Sequence, residues 1–306
     1  MTGFKNSTFF CWLRLLRLPT VFTALSNVLC GYFLAHQPSV VELLRQPALF
    51  LLLPATVGLY LGGMVLNDFF DAVLDATERP ERPIPSGRIS RRAAGACGYG
   101  LLAAGLASAA CAGIQSGCVA LCLAACVLAY DGFFKSTWFG PIFMAACRVL
   151  NLLLGASTLE VHSDHLSSVL FAACGLGVYI LGVTWFSRSE AGSTSRAGLL
   201  AGLLLVLAGL SSDGYLVYRD AVGVAMLRGS SMGLMLLALN LSMRAAAAIS
   251  TRRAPLIQQT VGLMLLSLIF RDTMLVFALT GNAQLALIQM SLLIPASLLR
   301  RVIPLS

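Results

Sequence analysis

The stretch NDFFDAVLDATERPERPIPSGR carries Asn67, Asp68, Asp71 and Asp75, followed closely by Arg79, Arg82 and Arg88. On a helix turning 100° per residue, Asp68, Asp71 and Asp75 fall within about 60° of one another, and Asn67 lies about 40° beyond Asp71. Four oxygen-bearing side chains therefore point one way. Like charges on one stripe repel, by roughly a few tenths of a kcal/mol per exposed pair, and a hard cation would offset that repulsion. Mg²⁺ prefers oxygen ligands and is usually held by one or two carboxylates together with substrate phosphates. The arginines sit among prolines that stiffen the chain, and guanidiniums match phosphate oxygens. Carboxylates for Mg²⁺ beside guanidiniums for phosphate make a polyphosphate site. The same residues also read as a solvated helix end with arginines anchored at a membrane surface.

Two other segments carry unusual chemistry. YDGFFKSTWFGP contains Lys135 and runs into an apolar stretch holding Arg148 and Asn151, which share a face at spacing i, i+3. An Arg near the centre of a membrane span costs roughly 2.5–3.5 kcal/mol on insertion scales, so it should face a polar cavity or a partner; snorkelling to the nearby interface is the alternative. SRSEAGSTSR supplies Arg188 and a lone acid, Glu190. Arg271 and Asp272 also fall inside an apolar run, where a local ion pair locking two helices is expected. Cys118, Cys122 and Cys126 share a helical face, but no His accompanies them, and packing is the expected role.

The elements that must position these residues are membrane helices. The chain has 306 residues, 58% of them hydrophobic and 11% charged, with a mean hydropathy of +0.85. A soluble domain carries about 25% charged residues. Windows near the ~20 residues needed to cross hydrocarbon give ten candidate spans, at about 17–36, 48–67, 93–113, 116–130, 140–159, 166–186, 197–217, 223–249, 258–279 and 283–299. The expected fold is all-α, a polytopic bundle of nine to ten spans in one integral membrane domain over 1–306, with a cytoplasm-facing polar cavity. The first span lacks a signal-peptide cleavage pattern and is read as a retained helix.

If the spans alternate, most Lys and Arg fall on one side, and the other side receives only Arg45, Arg219 and Arg228. This bias makes the basic side cytoplasmic, with both termini there. The net charge of +8 then reports topology and lipid headgroups; no nucleic-acid-binding motif is present. The acidic segment, YDGFFK and SRSEAG all lie on that side. Aspartates at a helix mouth argue against a secondary transporter, whose sites lie near mid-bilayer.

NDFFDAVLDATERPERPIPSGRIS resembles the first aspartate-rich motif, N-D-x-x-D-x-x-x-D with trailing R-P-x-R-P-x-P-S-G, of the UbiA superfamily of intramembrane prenyltransferases. YDGFFKSTWFGPIFMAACRVLN is similar to that family's Y-D-x-x-x-K segment, and with RLPTVFTALSNVLCGY the resemblance covers roughly residues 14–200. It implies a bundle in which Mg²⁺ and a prenyl diphosphate meet at the aspartates, and a lipophilic acceptor captures the prenyl group. By position, Asp68, Asp71 and Asp75 would hold metal, with Glu190, the lone acid of the later connection, holding an ion across from them, and Lys135 joining these four in catalysis. Asn67, Arg79, Arg82, Arg148, Asn151 and Arg188 would bind diphosphate. The family's second aspartate-rich motif is replaced here by SRSEAGSTSR. That segment resembles an EboC-like bacterial branch, which implies a bacterial inner membrane. The replacement also leaves a non-catalytic isoprenoid-binding protein or carrier as the alternative.

Overall fold

The computed structural model describes residues 8–158, 164–188 and 195–302. In chain order the helices are α1 (Thr8–Leu15), a 3₁₀ turn Leu18–Thr20, α2 (Val21–His36), α3 (Val40–Leu43), α4 (Pro47–Phe70), α5 (Ala72–Glu78), α6 (Arg91–Ala112), α7 (Ile114–Ala129), a π-helical turn Tyr130–Phe134, α8 (Gly140–Ala156), α9 (Leu166–Arg188), α10 (Arg196–Asp220), α11 (Val224–Thr251), α12 (Ala254–Thr280), α13 (Ala283–Ser291) and α14 (Leu293–Val302). Among the described residues there is no strand.

Local chemistry starts and stops these helices. Ser90 and Ser195 accept from backbone N–H groups three residues on, Asn282 caps α13, and Pro stands in the first turn of α4, α8 and α12. Gly281, at φ 63°, ends α12 in the left-handed conformation. Pro295 lacks the N–H that would reach back toward Ser291, and the last helical stretch is accordingly broken at Leu292 into α13 and α14.

Nine helical stretches among the described residues are long and apolar enough to cross a membrane, and α8, with 17 residues, is shorter. All ten expected spans therefore have helical counterparts, but their ends differ. The first stretch begins at Thr8, because α1 and the 3₁₀ turn lead almost directly into α2. The seventh runs on to Asp220, three residues beyond its expected end at 217.

One apolar core runs through α2, α4 and α6 to α13, while Ile114, Leu121, Leu204 and Leu236 point outward, as lipid-facing residues must. The contact between α2 and α8 is backbone to backbone. A Cβ on Gly31 would fall inside the radius of the Leu152 carbonyl oxygen, and one on Gly155 inside that of Val28. This approach brings Thr23 and Asn27 of α2 against Arg148 and Asn151 of α8. A smaller cluster of Cys11, Leu15, Val65, Ala72, Ile84, Ile89 and Ala94 ties α1 and the proline-rich loop to the end of α4.

Candidate active site

The acid stripe survives a kink. α4 ends at Phe70 and α5 resumes at Ala72, yet Asp71 N–H donates to Asn67 O (3.0 Å), Asp75 N–H to Asp71 O (2.8 Å) and Arg79 N–H to Asp75 O (2.9 Å). Helical spacing thus carries through. Asn67, Asp68 and Asp75 are buried and Asp71 is half-buried.

Each acid meets a cation from elsewhere in the chain. Arg17 Nη2 lies 2.9 Å from Asp68 Oδ1. Arg82 Nη1 lies 2.6 Å from Asp75 Oδ2 and 3.6 Å from Asp68 Oδ1, joining the two carboxylates. Lys135 pairs with Asp71 and donates to Asn67 Oδ1 at 3.2 Å. Asn67 Nδ2 donates to Asp131 Oδ1 at 2.7 Å.

Two local features deliver these cations. Ile84 and Ile89 pack under α1, and Ile89 N–H closes onto Pro83 O (3.0 Å), so the loop folds back and Arg82 is only 4% exposed. The π-helical turn, closed by Lys135 N–H to Tyr130 O (2.9 Å), turns Asp131 toward Asn67 and Lys135 toward Asp71. Such widened turns recur at functional sites.

Arg148 and Asn151 form a second polar station, apart from the first. Arg148 Nη1 donates to Asn27 Oδ1 (3.2 Å) and Nη2 to Thr23 Oγ1 (3.1 Å), and the guanidinium lies 5.1 Å from the Tyr60 ring centroid. Asn151 donates to Ala24 O (2.8 Å) and accepts from Thr56 Oγ1 (3.1 Å). Tyr60 precedes Asn67 by two turns of α4, about 10 Å along the axis, so this station sits deeper than the acids. Among the described residues, the buried Arg82 and Arg271 carry carboxylates and the buried Arg148 carries none.

The other expected residues stand elsewhere. Arg79 is exposed. Arg188 is turned onto the backbone, donating to Thr137 O (2.5 Å) and Ser136 O (3.0 Å), and so clasps the loop after Lys135. Glu190 lies outside the described residues. The Arg271–Asp272 pair is present, and Arg271 additionally grips Asp213, with Nη2–Oδ1 at 2.5 Å. Sequence reasoning missed Arg17, Asp131, Asn27, Thr23 and Tyr60 as site residues. Arg17 and Asp131 stand in RLPT and Y-D-x-x-x-K, segments that carried the resemblance. Thr23 and Asn27 stand in the same RLPTVFTALSNVLCGY segment, and Tyr60 had no signal beyond being aromatic in an apolar helix.

Oxygens of Asn67, Asp68 and Asp71 are hard donors of the kind Mg²⁺ takes. Among the described residues no three acids, His or Cys converge as a ready-made metal cage. The donor set therefore fits an ion that shares its shell with a phosphorylated ligand rather than one caged by protein alone.

Carboxylates, guanidiniums and an ammonium thus interlock at one helix mouth of an all-helical bundle whose helices are long and apolar enough to cross a membrane. The model of the UbiA prenyltransferase family matches residues 24–227, and the chain belongs to that family. It is similar to the digeranylgeranylglyceryl phosphate synthase of Metallosphaera sedula, 30% identical over 146 residues (47% of this chain, 50% of the relative). It is also similar to that of Methanoregula boonei, 35% identical over 139 residues (44% and 46%). The match thus spans about half the length of these curated relatives. Among solved structures, a digeranylgeranylglyceryl phosphate synthase superposes with a TM-score of 0.65 at 17% identity, covering 90% of this chain and 99% of the other. A UbiA homologue from Archaeoglobus fulgidus bound to GPP and Mg²⁺ gives 0.58 at 18% identity, covering 83% and 98%. At these identities the likeness speaks for the fold.

Proposed function

We propose that the protein is an intramembrane prenyltransferase, moving a polyprenyl group from a prenyl diphosphate to a lipophilic acceptor with Mg²⁺ as cofactor. The observation that supports this most is the interlocked cluster of Asp68, Asp71 and Asp75 with Arg17, Arg82 and Lys135, every acid already facing a cation. An arriving diphosphate would exchange places with the carboxylates as partner of Arg17, Arg82 and Lys135, with Arg79 at the rim. Asn67, Asp68 and Asp71 would then be free to hold Mg²⁺, with Asp75 keeping Arg82 in place and Glu190 the candidate from the opposite connection. When bound, the ion would neutralise charge on the leaving group.

In the reaction, the allylic C–O bond breaks and pyrophosphate leaves with the electron pair. A nucleophilic atom of the acceptor bonds to the allylic carbon and loses its proton. Guanidiniums and an ammonium placed beforehand stabilise the departing charge without reorganising. Arg148, with no carboxylate in direct contact, would present its guanidinium to an anionic oxygen of a bound substrate, and Asn151 lines the same wall.

The relatives' product carries geranylgeranyl chains and a phosphate by name, so geranylgeranyl diphosphate is the donor to test first. We place the protein in a plasma membrane, the bacterial inner membrane on the EboC-like reading, with the acid mouth and both termini cytoplasmic. The deciding experiment is Mg²⁺-dependent release of pyrophosphate from labelled geranylgeranyl diphosphate in membranes containing the protein. Tight donor binding that depends on Asp68 and Asp71, with no pyrophosphate released, would instead identify the isoprenoid carrier suggested by SRSEAGSTSR. Glu190→Gln with retained binding and lost turnover would assign that acid to chemistry.

A further inference from the structure

Behind Arg148 a polar chain crosses the bundle to α12. Asn27 Oδ1 accepts from Arg148, while Asn27 Nδ2 donates to Asp272 Oδ2 at 2.8 Å. The same Oδ2 accepts from Ser26 Oγ (2.7 Å), and Ser26 Oγ accepts from Gln289 Nε2 (2.7 Å). Asp272 Oδ1 accepts from Arg271 Nη1 (3.0 Å). Arg271 is held in turn by both oxygens of Asp213 (2.7 and 2.5 Å) and by Ala172 O (2.8 Å). Ser26, Asn27, Asp213, Arg271, Asp272 and Gln289 are all 0% exposed.

Two features of this chain bear on Arg148. The first is direction. An amide has its donor and acceptor at opposite corners. Because Asp272 takes the NH₂ of Asn27, the carbonyl is left facing the guanidinium. The flipped amide would set donor against donor at Arg148 and acceptor against acceptor at Asp272, so the carboxylate at 272 and the guanidinium at 148 fix one orientation between them. The second is charge. Asp213 and Asp272 outnumber Arg271, and an uncompensated buried charge is costly. Arg148, one amide away, is the buried cation with no carboxylate of its own.

We propose that Asp272 is a positioning residue: through Asn27 it aims the Arg148 guanidinium and supplies its counter-charge, making α12 part of the site although it lies far from the acid motif in sequence. This rests on the prenyl-transfer reading above.

The test is a double-mutant cycle read as the rate of pyrophosphate release at saturating geranylgeranyl diphosphate and Mg²⁺ in native membranes, normalised to protein. Arg148→Gln and Asp272→Asn are each expected to slow release by about tenfold, the effect of one ordinary pairwise interaction, and the double variant to fall within about twofold of Arg148→Gln alone. Asn27→Ala severs the link while leaving Asp272 bonded to Ser26 and Arg271. It should give the same non-additivity if Asp272→Asn does not accumulate, and Arg148→Lys serves in place of Arg148→Gln on the same ground. Losses that multiply to about a hundredfold in the double variant would overturn the proposal, as would a fall in thermal stability with an unchanged rate. Wild-type membranes that release no pyrophosphate would remove the prenyl-transfer reading and this one with it; an active wild type with multiplying losses would remove this one alone.

Discussion

Arg82 allows the sharpest test of how the site is built. The residue is 4% exposed, and its guanidinium lies 2.6 Å from Asp75 and 3.6 Å from Asp68, whose side chains are each 6% exposed. Replacing it by Met keeps the bulk of the side chain but strips Asp75 of its ion pair and leaves Asp68 with Arg17 alone. Removing one partner of a buried pair costs about 3–5 kcal/mol, because the remaining charge is stranded. At about 2–4 °C per kcal/mol, that corresponds to roughly 6–20 °C in the thermal midpoint, with the lower end expected for a chain of this size. The exposed Arg79 is the matched control, and Arg79→Met should change stability by no more than about 0.5 kcal/mol. The assay is thermal unfolding in detergent, followed by a tryptophan or thiol probe. Adding Asp75→Asn to Arg82→Met removes the stranded charge and should recover a large part of the loss. If Arg82→Met unfolds with Arg79→Met, or if the double variant is as unstable as the two single effects summed, the ion-paired mouth is not what organises this region.

Three further outcomes follow from the geometry. Asp68→Ala or Asp71→Ala should lower Mg²⁺-dependent pyrophosphate release by at least about a hundredfold, the scale of losing one preorganised electrostatic group, measured with labelled geranylgeranyl diphosphate. Gly155→Val should push α8 off α2 and destabilise the fold by about 1–3 kcal/mol or more, seen as a lower thermal midpoint together with loss of turnover, since Arg148 then parts from Asn27. Arg188→Gln should expose the loop after Lys135 to limited proteolysis while leaving donor affinity within about threefold, because its guanidinium holds backbone carbonyls that a side-chain amide reaches poorly; a loss of affinity matching that of Lys135→Gln would show that it binds diphosphate directly.

The helical periodicity of residues 67–75 was sufficient to place four polar side chains on one face, and the structure retains that face through the kink at Asp71, because the i, i+4 hydrogen bonds continue across it. The loop was legible in part. Prolines mark a stiffened loop, but it is the burial of Ile84 and Ile89 against α1 that sends Arg82 inward and leaves Arg79 outside. Arg188 shows the opposite case. A basic residue in the right connection looked like a phosphate ligand, and tertiary packing gave it carbonyls instead. The Arg271–Asp272 pair was expected from its cost in an apolar helix, but the third member, Asp213, stands 58 positions away in another span and gave no sign of the pairing.

By itself the sequence determined that this is a membrane bundle, roughly where its helices run and which residues form the acid stripe, because each depends on local hydropathy or on neighbours within two helical turns. Only the tertiary structure decided which charge meets which. Arg17 reaches Asp68 across 51 positions, and Asn27 reaches Asp272 across 245. Those pairings follow from how closely helices approach, as where Gly31 and Gly155 let α2 and α8 touch, and closeness between distant segments leaves no periodic trace in a single chain.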